Sequence, residues 1–160
     1  RDRQVTKMAT PLIMLATMMA PLLIAGSASY AGWRSIDLRS AGAIGLGLLF
    51  VFTGIGHFAL TEPMARMLPP WVPARVPLIH LSGLLEFAIA IGFFVPRTRR
   101  LAGWVAAAVL VLFFPANVYA AIERVPMGGH AWGPVYLLVR APLQGAILAW
   151  VYWFTLRRPA

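Results

Sequence analysis

The sequence predicts an all-α membrane protein, built as a four-helix transmembrane bundle with one additional N-terminal apolar helix. Of the 160 residues, 60% are hydrophobic and only 12% are charged, whereas a soluble domain carries about a quarter charged residues. The hydrophobic residues form five long runs, each near the roughly 20 residues that a helix needs to cross a bilayer. These runs lack the alternating pattern of membrane strands, so helices are predicted throughout.

The five apolar stretches divide the chain into two parts. Residues 1–40 form an N-terminal extension with a transmembrane or interfacial helix, and residues 41–160 form the four-helix membrane domain. Two of the connections are strong helix breakers, because residues 61–77 contain five prolines and residues 96–100 form a short basic turn. The predicted spans are 11–31, 41–60, 78–95, 101–122 and 134–156.

The first stretch admits three interpretations. Arg1, Arg3 and Lys7 precede it, and small residues at 25–29 end it, as in a secretory signal that is removed. The stretch is also long enough for a fifth transmembrane helix with its N-terminus outside, or for a helix lying in the interface. We favour the fifth helix because of this length. Pro21 would kink it unless neighbouring helices satisfy the freed carbonyl.

The distribution of arginines predicts the orientation of the bundle. One end collects seven arginines, whereas the other has only Arg66, Arg75 and Arg124. Because short cytoplasmic loops are enriched in Lys and Arg, we expect the arginine-rich end and the C-terminus in the cytoplasm. Trp71 and Trp132 are then expected at the outer interface. The arginine-rich end consists of Arg34, Arg39, Arg97, Arg99, Arg100, Arg157 and Arg158.

The composition excludes several functions. The chain has no cysteine, which rules out thiolate catalysis, disulfide exchange and cysteine-ligated metal centres. An isoelectric point near 11.5 would suggest nucleic acid for a soluble domain, but these arginines flank apolar runs and anchor helices at lipid headgroups. We therefore expect no nucleic-acid partner, and the sequence assigns no metal ligand and no catalytic residue.

Five polar residues inside the predicted spans form the candidate site. Ionisable groups in a membrane are costly, so they face the bundle interior and are functional candidates by default. At 1.5 Å per residue, all five fall at similar depth in the outer half of the bilayer. They are the candidate polar cluster His57, Glu86, Asn117, Arg140 and Gln144.

Two roles for this cluster remain open. Arg140 is expected to pair with Glu86, the amides to complete the hydrogen bonds, and His57 to hold or pass a proton. The pair could merely fix the register of the helices, or the cluster could line a pocket for a small polar or anionic molecule or a quinone headgroup. Outside the cluster, His80 is expected at the interface and His130 in a solvated loop.

Small residues recur at four-residue spacing within the spans. This spacing lets helix backbones approach closely in lipid, so we expect it to mark helix contacts. The pairs are Ala41 with Gly45, Ala88 with Gly92, and Gly103 with Ala107.

Six short motifs between residues 42 and 152 resemble the DoxX-like family of small four-helix membrane proteins. Each motif is a weak signal, but their order and spacing together are fairly specific. The first apolar stretch lies outside the resemblance. The motifs are FTGIGHF (52–58), MLPPWVP (67–73), SGLLE (82–86), PRTRRLAGW (96–104), PANVY (115–119) and RAPLQ (140–144).

The resemblance implies a redox setting, because family members look like membrane partners of quinone-linked and oxidative-stress assemblies, and its motifs fall on the candidate polar cluster. We expect an integral membrane accessory subunit of such an assembly in a bacterial or archaeal cell membrane, with other membrane subunits as partners. It is not expected to be catalytic alone; any activity would be that of a quinone-linked oxidoreductase subunit, with a quinone as the one suggested cofactor. The alternative is a non-enzymatic structural or assembly subunit.

Overall fold

The computed structural model describes residues 2–32 and 37–157, and these residues form helices joined by short turns. Arg1, Arg34 and Arg158 of the sequence argument lie outside the described residues. The helices are α1 (Asp2–Tyr30), α2 (Leu38–Ala59), α3 (Thr61–Ala65), α4 (Arg75–Phe94), α5 (Arg99–Ile122) and α6 (Leu137–Val151). A 3₁₀ segment, His130–Tyr136, leads into α6, and a π turn, Tyr152–Leu156, ends it.

Within the described residues, five helices are long and apolar enough to cross a membrane. They are Thr10–Tyr30 of α1, all of α2, α4 and α5, and the segment His130–Leu156 that contains α6. Each of the five predicted stretches falls on one of them, so the prediction of an all-helical chain with five such spans is confirmed. The apolar lengths indicate an integral membrane protein.

Local sequence sets the helix boundaries. Asp37 caps α2, since its carboxylate accepts hydrogen bonds from the backbone amides of Arg39 and Ser40, both at 3.1 Å. Val95 ends α4 in an extended conformation, as the steric demand of the following Pro96 requires. α5 and α6 continue through Pro115 and Pro142, which therefore lie inside two of the long apolar helices.

Helix α2 is the centre of the bundle. It packs against α1 on one side and α4 on the other, and 56% of its most apolar window is buried, against 17% for α1. The largest fully buried side chains come from four different helices: Met18, Leu46, Phe93 and Val151. The first apolar stretch is thus a helix packed on the bundle, with an outer face that presents apolar side chains for contact with lipid.

Glycines set the closest helix contacts. A β-carbon at Gly45 would overlap the carbonyl oxygen of Met18, so α1 and α2 touch backbone to backbone. Gly92 abuts Ala102, and Gly103 abuts Thr155. One member of each predicted small-residue pair therefore marks a helix contact.

Candidate functional site

The polar residues predicted to share one depth meet between the helices. His57 comes from the last turns of α2, Glu86 from the middle of α4, Asn117 from α5, and Arg140 and Gln144 from α6. The side chains of His57, Glu86, Asn117 and Gln144 are buried, and Arg140 is partly buried. The candidate polar cluster is therefore a real spatial cluster, although its contacts differ from those expected.

Glu86 pairs with His57 and not with Arg140. Glu86 Oε1 lies 3.4 Å from His57 Nε2, and this is the ion pair found within the described residues. Arg140 instead donates from Nε to Asn117 Oδ1 at 3.0 Å. The expected Glu86–Arg140 pair is thus wrong, because the rotation of α4 turns Glu86 towards α2.

Two side chains of helix α4 contact the two nitrogens of the His57 ring. Ser82 and Glu86 are four residues apart and so share one helix face. The Ser82 hydroxyl lies 2.8 Å from His57 Nδ1, while Glu86 faces Nε2. Gly83 makes room for this approach, since a β-carbon there would lie 2.8 Å from His57 Cβ. Ser82 is a site residue that the depth argument missed, although its spacing from Glu86 could have suggested it.

The His57 ring lies between one carbonyl oxygen and one carboxylate. Nδ1 is 3.1 Å from the carbonyl oxygen of Ile79, to which the Ser82 hydroxyl also donates at 2.8 Å. With the hydroxyl proton on that carbonyl oxygen, which only accepts, Nδ1 is the donor of its own contact. Nε2 faces Glu86 Oε1 at 3.4 Å. When this pair holds one proton, it is neutral both as imidazolium with carboxylate and as imidazole with carboxylic acid.

A small cavity adjoins the pair. Its volume is about 50 Å³, and its lining includes Glu86, Arg140, Gln144, Thr53 and Met14, with contributions from all five long helices. Glu86 Oε2 is buried and has no hydrogen-bond partner among the described residues. Because an unsatisfied buried carboxylate oxygen is costly, this geometry favours a donor molecule in the cavity.

The cavity limits the size of its occupant. One water needs about 10–15 Å³ measured this way, whereas an apolar cavity that binds benzene is about 150 Å³. A space of about 50 Å³ therefore admits a few waters or a comparably small polar molecule. A quinone ring does not fit.

A second set of contacts ties the loop between α5 and α6 to the cluster. Asn117 Oδ1 accepts from Arg140 Nε at 3.0 Å and lies 3.3 Å from His130 Nε2. His130 Nδ1 lies 3.0 Å from the Met127 carbonyl oxygen, and its ring packs edge-on against Tyr136. The prediction of a solvated His130 is wrong, because the loop folds inward through a 3₁₀ segment and buries the ring.

The remaining polar residues are accounted for locally. Gln144 donates from Nε2 to the carbonyl oxygen of Leu110 at 2.9 Å, which links α6 to α5. His80 stacks on Phe58 with ring centres 5.4 Å apart and lies 3.2 Å from the Thr61 hydroxyl, outside the cluster. Among the residues that the structure describes, no group of three His, Asp or Glu side chains is placed to hold a metal ion.

Residues 46–155 match the family model described as Domain of unknown function (DUF8561). The chain belongs to this family. No curated protein and no solved structure matches the chain. The DUF8561 region contains the whole candidate polar cluster together with Ser82 and His130, whereas α1 and the first turns of α2 precede it.

Proposed function

We propose that the chain is an accessory subunit of a membrane redox assembly, in which the His57–Glu86 pair takes up and releases a proton beside a small polar cavity. The observation that carries the proposal is the buried pair itself, with one ring nitrogen held by Ile79 and Ser82 and the other facing Glu86 Oε1 at 3.4 Å. The proton can move between Nε2 and Glu86 without changing the net charge of the pair, whereas its release leaves one negative charge, which faces Arg140 across the same cavity. The redox setting rests on the resemblance to the DoxX-like family.

The other cluster residues have positioning roles in this proposal. Arg140 supplies guanidinium donors towards a small anion or a carbonyl oxygen in the cavity, and Asn117 holds its Nε. Gln144 lines the same cavity. Since a quinone ring exceeds the available volume, quinone chemistry is assigned to a partner subunit, and this chain contributes a hydrogen-bonded path for protons.

The proposed orientation places the arginine-rich end and the C-terminus in the cytoplasm of a bacterial or archaeal cell. Arg39, Arg99, Arg100 and Arg157 gather at one end of the bundle, which supports this orientation through the enrichment of basic residues in cytoplasmic loops. The candidate polar cluster then lies nearer the outer surface.

Infrared difference spectroscopy of the protein in nanodiscs tests the proton site directly. Each carboxylic acid of the chain contributes a carbonyl band when it is protonated, and Glu86→Gln should remove the component that belongs to the buried acid. Glu62→Gln is the matched control, because Glu62 is an exposed acid outside the cluster, and it should leave the Glu86 component intact. Carbonyl bands that are the same in the wild-type chain and in Glu86→Gln would contradict the proposal.

A structural role is the second candidate, favoured by a specific observation. Arg140 Nε donates to Asn117 Oδ1, which also lies within hydrogen-bond distance of His130 Nε2, and Gln144 donates to a backbone carbonyl on α5. These bonds could serve only to fix helix register. Under this alternative, the double variant His57→Leu/Glu86→Met still assembles with its partners and the complex keeps its redox activity. The proton-exchange proposal expects the same assembly but loss of the redox activity. Assembly is checked by mild-detergent purification and mass spectrometry of all co-purified proteins and quinones, and the redox activity is measured on the purified complex.

A further inference from the structure

The arginine-rich end of the bundle contains an open pocket that has no part in the candidate polar cluster. It lies where the start of α2, the turn between α4 and α5, and the terminal π turn meet, and its volume is about 310 Å³. Four arginines line it: Arg39, Arg99, Arg100 and Arg157. This volume is about twice the roughly 150 Å³ of a cavity that binds benzene, so a phosphate group with its substituents can enter.

The pocket is strongly positive. Asp37 is the one acidic residue in its lining, and the carboxylate of Asp37 is used by the cap of α2, where it accepts from two backbone amides and from the Ser40 hydroxyl. Within the described residues no ion pair neutralises any of the four arginines, since the ion pair found there is His57–Glu86. An anion is therefore the expected occupant.

Three of the four arginines are held in place before any anion arrives. Arg99 donates from Nε to the Phe93 carbonyl oxygen at 3.0 Å and from Nη1 to the Ser40 hydroxyl at 2.7 Å. Arg39 donates to the carbonyl oxygen of Arg157, and the Arg157 guanidinium lies 4.2 Å from the centre of the Trp153 ring. Such anchoring lowers the entropy that binding would cost.

The wall of the pocket is fixed by the π turn. This turn closes with a hydrogen bond from the Arg157 amide to the Tyr152 carbonyl oxygen at 2.8 Å. Phe154 packs into the space left by Gly42, and Thr155 packs against Gly103. The π turn therefore builds one side of the pocket from aromatic and aliphatic groups, as such turns often do at functional sites.

We propose that this pocket binds the phosphate of an anionic phospholipid. Beside the arginines, its lining includes the apolar side chains of Pro96, Phe154 and Leu156, so the site matches a molecule that is anionic at one end and apolar next to it. Its place at the ends of the spanning helices puts it at headgroup level. The inference does not depend on the proposed function of the His57–Glu86 pair.

Lipid competition in nanodiscs tests the inference. The protein is reconstituted in equimolar phosphatidylglycerol and phosphatidylcholine, released in mild detergent, and its retained lipids are counted by native mass spectrometry. The wild-type chain is expected to retain phosphatidylglycerol in preference to phosphatidylcholine. The preference should fall roughly fivefold for each pocket arginine removed, hence roughly 25-fold in Arg39→Gln/Arg100→Gln.

Arg97→Gln is the matched control. Arg97 is exposed in the turn just before α5, close to Arg100 in the sequence, but lies outside the pocket lining, so this variant should keep the wild-type preference. An equal loss in Arg97→Gln and in the double variant would overturn the proposal in favour of general surface charge. If the double variant fails to fold, the lipid preference of Arg100→Gln alone tests the proposal, because Arg100 is exposed and its replacement leaves the packing of the bundle intact.

A free anion is the other source of the same chemistry. In nanodiscs of phosphatidylcholine alone, inorganic phosphate should not raise the unfolding temperature of the wild-type chain. In the mixed nanodiscs, inorganic phosphate should not displace phosphatidylglycerol. If phosphate does both, the pocket is a site for soluble phosphate and the lipid proposal is wrong. Absence of any preference for phosphatidylglycerol in the wild-type chain would also overturn it.

Discussion

Replacing Gly45 with alanine should weaken the contact between α1 and α2. The new β-carbon would overlap the Met18 carbonyl oxygen and lie 3.0 Å from the carbonyl carbon. These are backbone atoms, which cannot rotate away as a side chain does, so the two helices must separate. Overpacking of this kind costs about 1–3 kcal/mol, partly offset by the better helix propensity of alanine, about 1 kcal/mol.

The matched control is Gly145→Ala, because a β-carbon at Gly145 meets no atom within 4 Å. Both substitutions gain the same helix propensity, so their difference isolates the packing cost. We expect Gly45→Ala to be less stable than Gly145→Ala by about 1–3 kcal/mol, measured as the free energy of unfolding in a titration with denaturing detergent. Equal stabilities, within about 0.5 kcal/mol, would refute the packing of α1 against α2 at this point.

Two further predictions concern single side chains. Asn117→Leu removes the acceptor of Arg140 and the partner of His130, so it should lower the free energy of unfolding by about 1–2 kcal/mol; an unchanged value in the same titration would contradict this. The hydrogen bond from Ser40, with those from two backbone amides, holds the pKa of Asp37 below its ordinary value of 3.8. The Asp37 carboxylate therefore stabilises α2 fully above that pH, and this stabilisation is lost as the pH falls below it. Asp37→Ala should remove this pH dependence of the free energy of unfolding. The same pH dependence in the variant would disprove the prediction.

The spans were predictable because hydropathy is a one-dimensional signal. Apolar length, proline-rich connections and the rule that ionisable groups face the bundle interior need only the order of residues. Depth along a helix also follows from residue number, which is why the cluster of His57, Glu86, Asn117, Arg140 and Gln144 was found before any contact was known.

The pairing within the cluster was not predictable, because it depends on the rotation of each helix about its own axis. Glu86 could reach either His57 or Arg140 at the same depth, and the choice is made by α4, where Gly83 admits α2 closely. The burial of His130 depends on a loop that turns back into the bundle, which hydropathy does not encode. The pocket of arginines likewise arises from a π turn that has no simple sequence signal.

The cavity beside Glu86 lies where all five long helices meet, and its size makes it sensitive to small displacements. Treated as a sphere, it would grow from about 50 Å³ to the roughly 150 Å³ that holds an aromatic ring if its radius increased by about 1 Å. Helices at subunit interfaces commonly shift by about 1–2 Å. Helix α1, which contributes Met14 to the lining and has the smallest buried fraction of the five, is the cheapest to displace. A neighbour that draws α1 outward by this distance moves one wall only and adds roughly 16–33 Å³ to the cavity, which is room for one or two more waters, whereas a ring would require all five helices to move apart.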